Sequence, residues 1–204
     1  MAGQDIRETD EQYRRRMEKK KAAVDEKVAQ AKESRGIFIV LTGNGKGKSS
    51  SGFGTLARAI GHGYHVGVVQ FIKGTWDSGD HRFFGEHPNV DFHVMGTGFT
   101  WETRDREKDR QAARAAWEQA EKLLEDASRH VVLLDEITYV IKYGHLDVEE
   151  VADAIRFRPR NQTVILTGRD AQPELTELAD TVSEVTKIKH AFEQGIKAQP
   201  GVEF

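Results

Sequence analysis

Two short stretches hold the residues best equipped for chemistry. The first, "LTGNGKGKSS" at residues 41–50, nearly matches the phosphate-loop pattern G-x-x-x-x-G-K-[ST], with Thr42 where the first glycine is usual. Glycines at 43, 45 and 47 let the backbone curl so that successive N–H groups point at phosphate oxygens. Thr42, Gly43, Asn44, Gly45, Lys46, Gly47, Lys48, Ser49 and Ser50 are therefore the candidate nucleotide-binding residues. Lys48 supplies a mobile cation, and the Ser49 hydroxyl is of the type that ligates Mg²⁺, with Mn²⁺ as the alternative ion. The second stretch, "VVLLDEI" at 131–137, ends an apolar run on two acids. Asp135 and Glu136 fall where open α/β sheets bind ligands and are candidate metal ligands, direct or through water. Paired acids at such a place can also simply cap the next helix.

These residues need strands before them and a helix after the loop. From residue 36 on, short β-rich runs alternate with helical stretches. "GIFIVL", "HVGVVQFI", "VDFHVM", "HVVLLDEI", "QTVILTG" and "DTVSEVTKI" read as strands, most of them apolar on successive positions and so buried on both faces. "KSSSGFGTLARAIGHG", "TRDREKDRQAARAAWEQAEKLLEDASR" and "DVEEVADAIRFR" read as helices. Alternation of this kind implies crossover connections and a mainly parallel sheet of about six strands flanked by helices, an α/β P-loop NTPase (RecA-like) fold. Residues 1–35 differ: "EQYRRRMEKKKAAVDEKVAQAKESR" is rich in helix formers with sparse apolar anchors at Tyr13, Met17, Val24 and Val28. This segment is either a solvated helix or one that docks as a lid. The division expected is an N-terminal helical segment, 1–35, and a P-loop domain, 36–204.

The balance of the chain excludes several classes. Thirty basic against 33 acidic residues give a formal charge of -3, so no basic field draws nucleic acid. There is no cysteine, hence no disulfide or thiolate metal site. No apolar run approaches the ~20 residues of a membrane span, and the N-terminus is too charged for a signal peptide, so a cytoplasmic protein with no membrane partner is expected. Histidines 62, 81, 87, 93, 130 and 145 show no zinc-ligand spacing. No nucleophile–base arrangement is discernible.

Those features point to nucleotide and Mg²⁺ without naming a reaction. A resemblance along nearly the whole chain does. "TGNGKGKSSSGFGTLARAIGHG", "VVQFIKGTW", "GTGFTWET", "LLDEITYVIKYGHL", "RPRNQTVILTGRDA" and "LADTVSEVTKIKHAFEQGIKAQPGVEF" resemble, in order, the ATP:corrinoid adenosyltransferases of the cob(I)yrinic acid a,c-diamide type. The charged N-terminal helix does so more loosely, and the spacer "DSGDHRFFGEHPNVDFHV" least. Within that family the N-G-K-G-K loop is itself a mark, so Thr42 is no defect, and Ser49 keeps the hydroxyl of the more usual threonine.

The resemblance implies transfer of the 5′-deoxyadenosyl group of ATP to Co(I) of a corrinoid, cob(I)alamin or cob(I)yrinic acid a,c-diamide, with release of triphosphate, in adenosylcobalamin synthesis or salvage. The nucleophile then arrives with the substrate, which accounts for the missing protein nucleophile. It also implies a nucleotide held in reversed orientation, a reductase or flavodoxin-type electron donor, and a homodimer. Lys48 and Glu136 would act on the triphosphate. Phe99 and Trp101, between the mobile positions Gly96 and Gly98 and the helix beyond, would displace the lower cobalt ligand and so make Co(II) reducible; by residue type alone, such an aromatic loop can also simply plug the rim of the core. Lys73 and Arg169, at carboxyl ends of strands, are either surface ion-pair residues or contacts to ATP or corrinoid. His190 is either a corrinoid contact or a packing residue. Two other classes stay in view: a P-loop phosphotransferase or ATPase, which needs a residue to position water or acceptor, and a non-catalytic nucleotide-dependent corrinoid-binding module. Neither has use for the Phe99–Trp101 loop.

Overall fold

The computed structural model describes residues 8–72, 78–95 and 105–203. Lys73, Gly96, Gly98, Phe99 and Trp101 lie outside the described residues. The chain divides into two compact units, Met1–Ser34 and Arg35–Phe204.

In the first unit one helix, α1 (Asp10–Gln30), begins with a reciprocal cap: the Thr9 hydroxyl accepts from the Gln12 amide, and the Gln12 side chain accepts from the Thr9 amide. Asp10 and Glu11 in the first turn suit the positive end of the helix dipole. The anticipated apolar stripe is sparse, and Tyr13, Val24 and Val28 are exposed.

The second unit is built on six strands, all parallel: β1 (Phe38–Thr42), β2 (Val66–Gln70), β3 (Val90–Val94), β4 (Val131–Asp135), β5 (Thr163–Thr167) and β6 (Thr181–Glu184), in the spatial order β3-β2-β4-β5-β1-β6. All six expected strands are present; β1 starts two residues later and gains Thr42, and the other five are trimmed by one to several residues. Helices α2 (Lys48–Gly61) and α4 (Arg106–Glu125) answer to the two longer helical stretches, and α6 (Val148–Arg156) to the third. Short helices α3 (Gly79–Phe84), α5 (Ile137–Lys142) and α7 (Pro173–Leu178) have no counterpart among the helical stretches read above. Six residues carry too little periodicity to announce a helix; α3 alone of the three has a side-chain cap, Ser78 accepting from the His81 amide.

Alternation along each strand splits the core in two. Leu41, Val66, Val68, Val131, Leu133 and Ile165 face Phe53 and Leu56 of α2. Phe38, Val40, Val132, Leu134, Val164 and Leu166 face the other side, with Trp117, Ala120 and Leu124 of α4 and Val151 and Ile155 of α6. Because both faces are covered, the central strands can be apolar at every position. The result is a three-layer α/β sandwich of P-loop NTPase-like design. Its consequence for the site is topological: β5 lies between β1, which feeds the glycine loop, and β4, which ends on Asp135.

Candidate nucleotide site

The glycine loop runs from the end of β1 into α2. Its turn places the positive φ on Gly43 (φ 97), so Thr42 has no need to be glycine. Thr42 instead ties the loop down: its hydroxyl accepts from the Ala171 amide at 3.2 Å, beyond β5, and its carbonyl from the Val185 amide at 2.8 Å, beyond β6. Gly43 and Gly45 also meet the chain close by. A Cβ at either would stand 2.6–2.7 Å from the Val185 carbonyl oxygen, which the Gly45 amide binds. Gly47 (φ 119) precedes the first turn of α2, with open space beside it. Asn44 and Ser50 are exposed, and Ser49 is half-buried at the helix start.

Lys48 is 6% exposed, and its Nζ donates to the Gly45 carbonyl at 2.8 Å. Burial pushes its ammonium below the usual lysine range; Glu136 and Asp135 oppose the shift and Arg169 adds to it. Three residues singled out from other parts of the sequence thus reach Lys48 with their charge. Arg169 is exposed and follows β5, on the same edge of the sheet. Its neighbour Asp170 has a positive φ (53), as does Glu136 (φ 59), so non-glycine residues in left-handed backbone flank the region at the ends of two adjacent strands. Gly168 between them (φ 145) has no room for a side chain: a Cβ would fall 1.9 Å from Thr138 Oγ1.

Asp135, 1% exposed, is surrounded by donors. Thr167 Oγ1 donates to its Oδ1 at 2.7 Å and Gln70 Nε2 to its Oδ2 at 3.0 Å. Neither donor was singled out from sequence, although a polar residue closing an apolar strand, "VVQ" or "VILT", is a readable signal. Glu136 is half-buried and nearer solvent. Tyr139, one turn on, has its hydroxyl pushed above the ordinary range by burial and by Glu136.

Two other candidates sit on the C-terminal segment or against it. Lys46 is exposed and pairs with Glu203 at 2.8 Å. His190 accepts from the Phe192 amide at 3.2 Å and lines a cavity of about 190 Å³ with Phe192, Ile196, Lys197, Val202 and Glu203. Among the described residues no group of three or more His, Cys, Asp or Glu side chains could hold a metal ion by itself. Hard oxygen donors at Ser49 and Glu136, to be completed by phosphate oxygens, fit Mg²⁺, which is commonly held by few protein ligands plus the nucleotide. No helix among the described residues is long and apolar enough to cross a membrane.

Comparison with known proteins assigns the sequence to a family. Residues 34–204 match the family described as "ATP:corrinoid adenosyltransferase BtuR/CobO/CobP", and residues 3–28 match "Cob(I)alamin adenosyltransferase N terminal". A corrinoid adenosyltransferase of Pseudomonas aeruginosa is 55% identical over 97% of this chain and 98% of its own. Corrinoid adenosyltransferases of Escherichia coli K12 and of Salmonella typhimurium are each 53% identical, over 96% of this chain and all of theirs.

Proposed function

The chain belongs to the ATP:corrinoid adenosyltransferase family and is an adenosyl transferase from ATP to a corrinoid, and from that premise we propose how its residues share the work. The transferred group is the 5′-deoxyadenosyl group, the acceptor is Co(I) of cob(I)alamin or cob(I)yrinic acid a,c-diamide, and the product leaving is triphosphate. The bond from C5′ to oxygen breaks as the cobalt electron pair forms the new bond to carbon. The observation that carries this reading is the convergence on one sheet edge of a buried Lys48, a glycine loop open at Gly47, and Glu136 and Arg169 within charge range.

The loop amides and Lys48 hold the triphosphate in place before and after the bond breaks, so the charge that develops meets dipoles already aimed. Lys48 lies against Gly45, so it reaches phosphate by a small rotation rather than by ordering a free side chain. Lys46 and Arg169 supply further cations to a leaving group more highly charged than the ADP a kinase releases. Bound Mg²⁺ would neutralise triphosphate charge, and Ser49 and Glu136 would hold it. Phe99 and Trp101 displace the lower cobalt ligand so that Co(II) accepts an electron from a reductase or flavodoxin-type donor. Lys73 and His190 contact the substrates, and the protein works as a homodimer of cytoplasmic location. The test is product identity in a Co(I) assay with ATP: equimolar adenosylated corrinoid and triphosphate are expected, and ADP in place of triphosphate refutes the proposal. Lys48→Ala removes a charge-assisted contact worth about 1.5–3 kcal/mol and should nearly abolish turnover at sub-saturating ATP.

A further inference from the structure

A buried carboxylate beside a metal site is usually taken as a ligand, yet both oxygens of Asp135 are already engaged inside the sheet. Thr167 donates to one at 2.7 Å and Gln70 to the other at 3.0 Å, from the two strands that flank β4. Thr167 does more than donate. Its hydroxyl accepts the Glu136 amide at 2.9 Å, so one oxygen links two consecutive acids. A hydroxyl carries a single proton; given to Asp135, it leaves a lone pair for the amide, and the rotor is locked by both bonds. The amide it holds belongs to a residue in left-handed backbone (φ 59, ψ 24), a conformation that a side chain such as glutamate adopts only when its surroundings impose it. Thr167 is fully buried, and the two partners it joins lie at the carboxyl end of the neighbouring strand.

We propose that Thr167 is a positioning residue for the metal-and-triphosphate half of the site: it anchors Asp135 within the sheet and fixes the Glu136 backbone so that the Glu136 carboxylate stands toward Lys48 and the glycine loop. Gln70 anchors Asp135 from the other side. Asp135 then acts as the frame for its neighbour, and direct ligation falls to Glu136 and Ser49. The strand order makes this assignment to β5 specific, since β5 is the strand between the loop strand and the acid strand. The inference rests on the reading that the glycine loop takes ATP together with a divalent cation.

The test uses Thr167→Val, which keeps the shape and removes the hydroxyl, beside Thr167→Ser, which keeps the hydroxyl. Mn²⁺ binding to the enzyme–ATP complex is followed by electron paramagnetic resonance, ATP binding without metal by calorimetry, and turnover with Co(I) at saturating ATP. Thr167→Val should weaken Mn²⁺ binding about 10- to 100-fold and lower kcat, the range typical when a partner that orients a metal ligand is lost. Metal-free ATP binding should stay within about three-fold, and Thr167→Ser should restore both other readouts. Wild-type Mn²⁺ affinity in Thr167→Val overturns the proposal, as does a Thr167→Ser variant equally impaired, which would reduce Thr167 to packing. Should Thr167→Val lose its thermal transition, Gln70→Met carries the test with the same expected loss of Mn²⁺ affinity, and an unchanged affinity overturns it. A wild-type enzyme whose ATP binding ignores Mn²⁺ refutes the underlying reading as well, and that outcome shows in the wild type before any variant is compared.

Discussion

Lys46, a candidate contact to the triphosphate, pairs with Glu203 at 2.8 Å. If the cation serves ATP, the pair has to open first, and Glu203 then competes with the nucleotide. The partners' side chains are 41% and 29% exposed, so solvent screens the attraction and the pair is worth about 0.2–1 kcal/mol. At 1.4 kcal/mol per decade, Glu203→Gln should tighten ATP binding by a factor of about 1.4 to 5. Lys46→Ala should weaken it more, because a charge-assisted phosphate contact is worth about 1.5–3 kcal/mol. In the double variant the gain from Glu203→Gln should vanish, since no lysine remains to release. The assay is calorimetric titration with Mg-ATP at two ionic strengths, with the Glu203→Gln effect shrinking at the higher one. Two results refute the reasoning. Weaker ATP binding in Glu203→Gln would mean that Glu203 aims Lys46 rather than withholding it. A gain that persists in the Lys46→Ala background would assign the effect to general charge repulsion.

Replacing both Phe99 and Trp101 with alanine should cost activity mainly when the corrinoid enters as Co(II), with a much smaller loss when a strong chemical reductant supplies Co(I); equal losses in both regimes would make them ordinary packing residues. Protease digestion should cut within residues 1–35 in the free protein and be suppressed by ATP plus corrinoid, and an identical pattern with and without ligands would leave that helix a solvated one. Asp180 accepts two bonds from Arg35 and one from the Phe38 amide, and the Arg35 guanidinium holds its carboxyl down at about 2. A depressed carboxyl stabilises the fold above its unfolded pKa and loses that contribution as the pH falls, so the stability gap between wild type and Asp180→Asn, about 1 kcal/mol after solvent screening, should be constant above about pH 5 and close between about pH 4 and 2 in denaturant titrations.

The local pattern of the chain was enough to determine the elements that build the site. Strand runs apolar at every position require a sheet covered on both faces, and glycines 43, 45 and 47 followed by Lys48-Ser49 require a turn into a helix; these are near-neighbour constraints that a sequence carries directly. The short helices were not legible, since six residues such as Gly79–Phe84 present less than two turns of periodicity. Nor was the frame around Asp135. Whether Thr167 or Gln70 touches that carboxylate depends on β4 having β5 on one side and β2 on the other, and strand order is settled by crossovers that span the entire domain. The same holds for Lys46 and Glu203, which are 157 positions apart and meet only because the chain beyond β6 returns to the glycine loop. Spacing within a segment determines what a residue can do; the packing of segments decides which residues it does it with, because hydrogen bonds and ion pairs act over about 3 Å of space without regard to distance along the chain.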